Sequence, residues 1–113
     1  MPREQPFVDI CYSIAYYLQM SWAIQFKEKV SISIQKLPKI AKKRLFVLLM
    51  ELEKEGPYRS NWPNYSPLKG TDGVFHCHFK KGTPTYVACW KIKDKTIEVM
   101  EVVYVGTHEK APY

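Results

Sequence analysis

The sequence predicts an α+β fold in which an N-terminal strand and two helices pack on an antiparallel sheet completed by a C-terminal three-stranded meander. Three observations carry that reading. Ala41, Leu45, Leu48, Leu49 and Leu52 recur at the spacing of one continuous helical stripe. Three alternating apolar segments, Val74–Lys80, Thr85–Ile92 and Thr96–Val105, follow one another across hairpin-length connections. The helical signals precede the meander instead of alternating with it, which favours helices layered on one face of a sheet. The 113 residues fit a single domain, and an apolar fraction of 46% is enough for one core.

Taken in order, Trp22–Phe26 (WAIQF) alternates as a short strand. Lys27–Lys36 reads as a short helix, although Ser31-Ile32-Ser33-Ile34 also suits an extended run. Leu37-Pro38 ends it, because proline disfavours helix in the residue before it and suits the first turn of the next. A strong helix then runs from Pro38 to Glu55. Its first half carries Lys39, Lys42, Lys43 and Arg44, and Glu51, Glu53 and Glu55 stand near its end. That order opposes the helix dipole, so local stability does not account for the cations. A polyanion partner does, and a solvated basic face does equally well.

Gly56-Pro57 stops the helix, and Gly56–Gly70 (GPYRSNWPNYSPLKG) reads as a long loop of the kind that often carries function. In the first meander strand, period-two geometry sends Phe75, Cys77 and Phe79 to one face and His76, His78 and Lys80 to the other. The aromatic set suits the core under the helices. For the next strand, the pattern does not decide whether Tyr86, Ala88, Trp90 and Ile92 or the alternate set faces inward.

Residues Phe7–Gln25 are apolar, but the stretch is marginal for a membrane span and contains Asp9, Gln19 and Gln25. It lacks the basic start and small-residue cleavage site of a signal peptide. No membrane partner is expected. Residues 1–19 read as an N-terminal extension, from an upstream start or as a short accessory helix, with the domain proper at 20–113. Net charge is +6, and without the extension 16 basic and 9 acidic side chains remain, so the basic character belongs to the domain. A basic small domain points to nucleic acid, an anionic surface or an acidic protein as partner. Three cysteines, Cys11, Cys77 and Cys89, make no disulfide framework and fit a reducing, cytoplasmic setting. Cys77 and Cys89 read as buried small apolar residues.

His76 and His78 on one face have three readings: inert surface histidines, a metal pair, or acid–base groups. A metal pair needs further ligands, and no second ligand pair has metal spacing, so neither metal nor cofactor is expected. Acid–base work fits best with the rest. Cleavage at an RNA 2′-hydroxyl needs a base, an acid and cations for the charged phosphorane. The sequence offers His76, His78 and His108 with Lys69, Lys80, Lys81 and Lys110. His108 follows the last strand, and a tail leaving at Gly106 and folding back over the open face would bring His108 and Tyr113 close to His78. The plainer alternative is a frayed tail. Tyr113 would then offer a ring for base stacking, a sequence-tolerant contact. Tyr58, Trp62 and Tyr65 suit either stacking or packing. Neither a serine–histidine–acid signature nor a glycine-rich phosphate loop is present.

The segments SPLKG, HCH and GTHEKAPY, in that order, resemble the RelE/ParE superfamily of toxins from type II toxin–antitoxin pairs. The YafQ-like branch, with its HPLKG…DCH…TGTH…F pattern, is the nearest in motif. The opening MSWAIQF and the KLP break fit as well, and the resemblance spans Met20–Tyr113. It implies a RelE-like, ribosome-dependent mRNA endonuclease that inhibits translation, with the ribosome, mRNA and a cognate antitoxin as partners. His78 and His108 match family catalytic histidines, and Lys69 matches the lysine of the PLKG turn. Ser66 stands where that branch carries a histidine, His76 where it carries an aspartate, and Pro112 where it carries the terminal aromatic. A gyrase-poisoning relative, or a degenerate toxin that only binds its antitoxin, is the alternative; the former branch does not use the histidine constellation.

Overall fold

The structure, a computed structural model, describes residues 21–113; the extension expected at residues 1–19 lies outside the described residues. The chain runs β1 (Ala23–Phe26), α1 (Glu28–Gln35), α2 (Lys39–Glu55), β2 (Ser66–Pro67), β3 (Val74–Lys80), β4 (Tyr86–Asp94) and β5 (Val99–Thr107), and closes on a 3-10 turn, His108–Lys110. The five strands form one sheet in the order β1-β5-β4-β3-β2. The meander is antiparallel as the sequence predicts, but β1 pairs parallel to β5, so the whole sheet is mixed. The two helices lie between β1 and the meander in sequence, and this crossover lets the first strand run alongside the last.

The helical stripe does what its spacing requires. Ala41, Leu45, Leu48 and Leu52 are all fully buried, against Phe75, Cys77 and Phe79 of β3, Trp90 of β4, and Met100 and Val102 of β5. The Trp90 indole N–H donates to the Pro57 carbonyl at 3.0 Å, so the largest core side chain is also satisfied and ties the loop after α2 to the core. Gly56 ends α2 at φ 94°, and a Cβ there would lie 3.0 Å from the Trp22 indole nitrogen. Only glycine meets both demands.

Three boundaries differ from expectation. Ser66–Pro67 lies in the region read as loop and pairs with His76 and Phe75 of β3. Two residues with one proline are too short to give a strand signal, and proline is tolerated because β2 is an edge. β4 extends to Asp94 and β5 begins only at Val99, because Asp94 Oδ1 accepts from the Thr96 and Ile97 amides and moves the turn beyond Lys95. In β4 the inward set proves undecidable by pattern because Val87, Ala88, Cys89 and Trp90 are all buried. Ala88 and Trp90 belong to the core under the helices; Val87 and Cys89 sit on the opposite face.

A histidine cluster on the open face of the sheet

The face away from the helices is built from cross-strand rows. His76 of β3 pairs with Cys89 of β4, which pairs with Tyr104 of β5; His78 pairs with Val87, which pairs with Gly106. Alternation therefore sets His76, His78, Tyr104 and the bare backbone of Gly106 on one surface. A β-bulge lies between His78 and Lys80, a feature common beside functional sites, where it re-aims side chains.

The last residues fold back over this surface. The His108 amide donates to the Thr85 carbonyl at 2.8 Å, which anchors the tail to the start of β4. The His108 ring then stands 5.1 Å from that of His78, edge to face. The Tyr113 ring lies 4.5 Å from His76 and 6.1 Å from His108, while His76 and His78 are 6.1 Å apart. Three imidazoles and a phenol thus form one contiguous group, and Pro112 does not carry Tyr113 out of reach. The tail also explains the burial of Val87 and Cys89 on what would otherwise be an open face.

Gly106 does not release the chain from the sheet, as its sequence context suggests: β5 continues through Thr107. Its role is space. Tyr104 bends over it, its hydroxyl donating to the Thr107 carbonyl at 2.8 Å, and a Cβ at 106 would lie 2.6 Å from that hydroxyl oxygen.

The electrostatics favour neutral imidazoles on β3. Burial lowers the pKa of His76, and the His108 charge adds to this, against the Ser66 backbone hydrogen bond, which raises it. Burial lowers that of His78 as well, helped by His108, His76 and Lys81. The Nδ1 of His76 lies 3.2 Å from the Ser66 carbonyl oxygen, so the Nδ1–H tautomer donates there and leaves Nε2 free. Burial pushes the Tyr113 phenol up to about 12, so it stays protonated at neutral pH. Burial likewise pushes both Cys77 and Cys89 up to about 12, as suits packing groups and not nucleophiles.

The lysines divide. Lys80 and Lys81 stand two and three residues after His78, and Lys81 is exposed. Lys69 is exposed on the β2–β3 turn, at the Val74 end of β3. That is roughly 13 Å of strand from His78 and about half as far from His76. Tyr65 stacks on Phe75 at 5.9 Å and packs against the core, while Tyr58 meets Phe75 edge-on at 5.4 Å and stays half exposed. Among the described residues, no group of three His, Cys, Asp or Glu side chains is arranged to hold a metal ion.

One feature beside the cluster has no counterpart in the site residues expected from sequence. A cleft of about 470 Å³ opens beyond His78, and Arg44 and Ile40 of α2 line it together with Trp62, Lys80 and Lys81. The reversed charge order of α2 is the sequence signal for Arg44, but nothing in a helix pattern says which strand its basic end will face.

No helix among the described residues is long and apolar enough to cross a membrane. No family model matches the sequence, and no curated protein gives a significant match. Solved structures do. A chain of the archaeal RelE–RelB complex from Pyrococcus horikoshii is 18% identical at a TM-score of 0.64, over 81% of this chain and 100% of that one. The isolated E. coli RelE toxin is 19% identical at 0.62, over 80% and 88%. A chain of the intact E. coli RelBE toxin–antitoxin complex is 20% identical at 0.61, over 79% and 99%. The similarity covers about four fifths of this chain, which takes the fold of the RelE toxins.

Proposed function

We propose that this chain is the toxin of a type II toxin–antitoxin pair and an mRNA endonuclease acting on translating ribosomes. The observation that carries the reading is the pair of imidazoles from β3 and the tail, 5.1 Å apart, beside Lys80 and Lys81. RNA cleavage without a cofactor needs two proton carriers on either side of one phosphate. His78, whose surroundings favour the neutral form, takes the proton of the 2′-hydroxyl as its oxygen attacks phosphorus. His108, at the exposed rim, gives a proton to the 5′-oxygen as the phosphorus–oxygen bond breaks. The products are a 2′,3′-cyclic phosphate and a 5′-hydroxyl. Lys80 and Lys81 offset the phosphorane charge. Lys69, farther along the face, suits a phosphate elsewhere on the same strand.

His76 is the third member. In the YafQ-like motif a histidine stands at the position of Ser66 and an aspartate at that of His76. Ser66 and His76 are cross-strand partners here, with Ser66 Oγ 3.4 Å from His76 Nδ1. An imidazole moved from β2 to β3 at this row stays on the same surface. Tyr113, tilted against His76 at 4.5 Å, extends an aromatic surface to a base. The RelE structures similar to this chain include complexes with RelB, and by that likeness the partner assigned here is a cognate antitoxin.

The test is induced expression from Met20, with growth followed and mRNA ends mapped on translating ribosomes. Wild type should arrest growth and cut; His78→Ala and His108→Ala should each lose about 10²–10⁴-fold in cleavage. Toxicity that persists in the double variant, with DNA damage and no RNA cut, would transfer the chain to the gyrase-poisoning alternative. An inert wild type that still binds its antitoxin would make it a degenerate toxin.

A further inference from the structure

We infer that the cleft beyond His78 is a nucleotide subsite, which holds the phosphate and base next to the cleaved bond and positions the RNA strand through Arg44. The inference rests on the endonuclease reading for the identity of the strand, but Arg44, Ile40 and Trp62, which carry it, lie outside the histidine cluster.

The cleft holds about 470 Å³, within the range of small-molecule sites. His78 lines it, and the His78 ring stands 5.1 Å from that of His108, so one residue joins cleft and cluster. A strand reacting at His78 is thereby brought to the mouth of the cleft. Three cations, Arg44, Lys80 and Lys81, line that space, and no carboxylate does among the described residues. They come from two elements far apart in sequence, which a generally basic surface does not require. No hydrogen bond or ion pair engages the Arg44 guanidinium among the described residues, so its fork of donors is available to a phosphate. Ile40, one helical turn before Arg44, is 59% exposed and gives the cleft an apolar lining together with Trp62. The Trp62 indole is fixed by donating to Glu51 Oε1 at 2.8 Å. A cationic rim with a flat apolar wall is the composition that single-stranded nucleic acid needs, charge for the backbone and a surface for the base. It also gives a role to Arg44, one of the four cations in the first half of α2 that helix energetics leave unexplained.

The experiment uses a short single-stranded 2′-O-methyl oligoribonucleotide, which binds and is not cut. Its affinity for the wild-type protein is measured across a salt series, alongside KM and kcat on the cleavable RNA. Arg44→Gln should weaken binding and raise KM about tenfold or more, with kcat kept. It should also lower the slope of log affinity against log salt by about 0.7. Arg44→Lys should restore the slope but only part of the affinity. Ile40→Glu, at an exposed position, should weaken binding without unfolding the protein. His108→Ala should lower cleavage about 10²–10⁴-fold and leave binding intact. An Arg44→Gln protein with unchanged affinity and salt slope, or a wild type that does not hold the oligonucleotide, overturns the subsite. Absence of cleavage with Arg44-dependent binding retained overturns the endonuclease reading and leaves the subsite standing.

Discussion

Gly106→Ala tests whether the geometry that aims the tail depends on close approach at one residue. The backbone at 106 is ordinary strand, so a methyl group meets no φ penalty; the constraint is space. The new Cβ would lie 2.6 Å from Tyr104 Oη and 2.9 Å from Cζ. Both are shorter than real contacts allow, so the ring must swing away and release its 2.8 Å hydrogen bond to the Thr107 carbonyl. Losing that bond costs about 1 kcal/mol, and displacing the ring from its rotamer about 0.5–1.5 kcal/mol. The alanine recovers about 0.4–1 kcal/mol by restricting the unfolded chain. The net is a destabilisation of roughly 0.5–2 kcal/mol, a fall of several degrees in Tm for a domain of this size. Thermal unfolding of a double-mutant cycle with Tyr104→Ala measures it. Without the tyrosine ring the methyl has nothing to strike, so Gly106→Ala should become neutral or stabilising. The same cost in both backgrounds would refute the clash. Because Thr107 precedes His108, the single variant should also lose cleavage, and the double variant should not regain it.

Two further predictions concern charge. His76 and His78 have folded pKa values below the ordinary 6.5, so the unfolded chain binds their protons more readily. Their contribution is therefore constant above 6.5 and stability is lost as pH falls below it; denaturant unfolding from about pH 7.5 to about pH 5 should show that loss, and His76→Ala/His78→Ala should flatten it. Glu51 Oε1 accepts from Asn61 at 3.0 Å, Trp62 at 2.8 Å and Arg59 at 3.3 Å, which pins the loop after α2 to the helix. Glu51→Ala should cost about 2 kcal/mol and raise proteolysis within residues 57–65. The Asn61 hydrogen bond leads the causes that hold the Glu51 pKa below its ordinary value, so the carboxylate's contribution is present above 4.5 and fades as pH falls below it; in Glu51→Gln that second acid limb should vanish.

Where one element's periodicity was enough, the sequence was legible. The α2 stripe and the alternation of β3 follow from side-chain spacing, and they place the helix layer and the histidine face without further information. Where two elements had to meet, it was not. β4 is buried on both faces because helices cover Trp90 and the tail covers Cys89, and no pattern internal to β4 reports a cover supplied twenty residues later. The parallel pairing of β1 with β5 depends on a crossover whose direction four residues do not encode. Lys69 belongs to a motif that resemblance makes salient, yet the β2–β3 turn carries it to the other end of β3. Arg44 lacked any motif and was visible only as a violation of helix-dipole preference.

The tail shows how reactive side chains can be held in place by residues that do no chemistry. A 3-10 turn of three residues has little stability of its own, and exposed terminal segments are ordinarily frayed. Here the tail is secured by the His108 amide on Thr85, by Tyr104 bracing Thr107 across the gap at Gly106, and by Tyr113 packed on His76. Each anchor lies on a different strand, β5 and β3 for the rings and the approach to β4 for the amide. The imidazole of His108 is thereby referenced to three strands of the same sheet that carries His78. Val87 and Cys89, small and fully buried beneath, give the tail an apolar seat. Their burial stabilises the folded-back conformation in proportion to the apolar area covered. A polar substitution there, such as Val87→Asp, would free the tail while leaving the helix-side core untouched. It should therefore abolish the His78–His108 pairing with less loss of stability than Leu48→Ala, whose cavity under α2 costs about 2–5 kcal/mol.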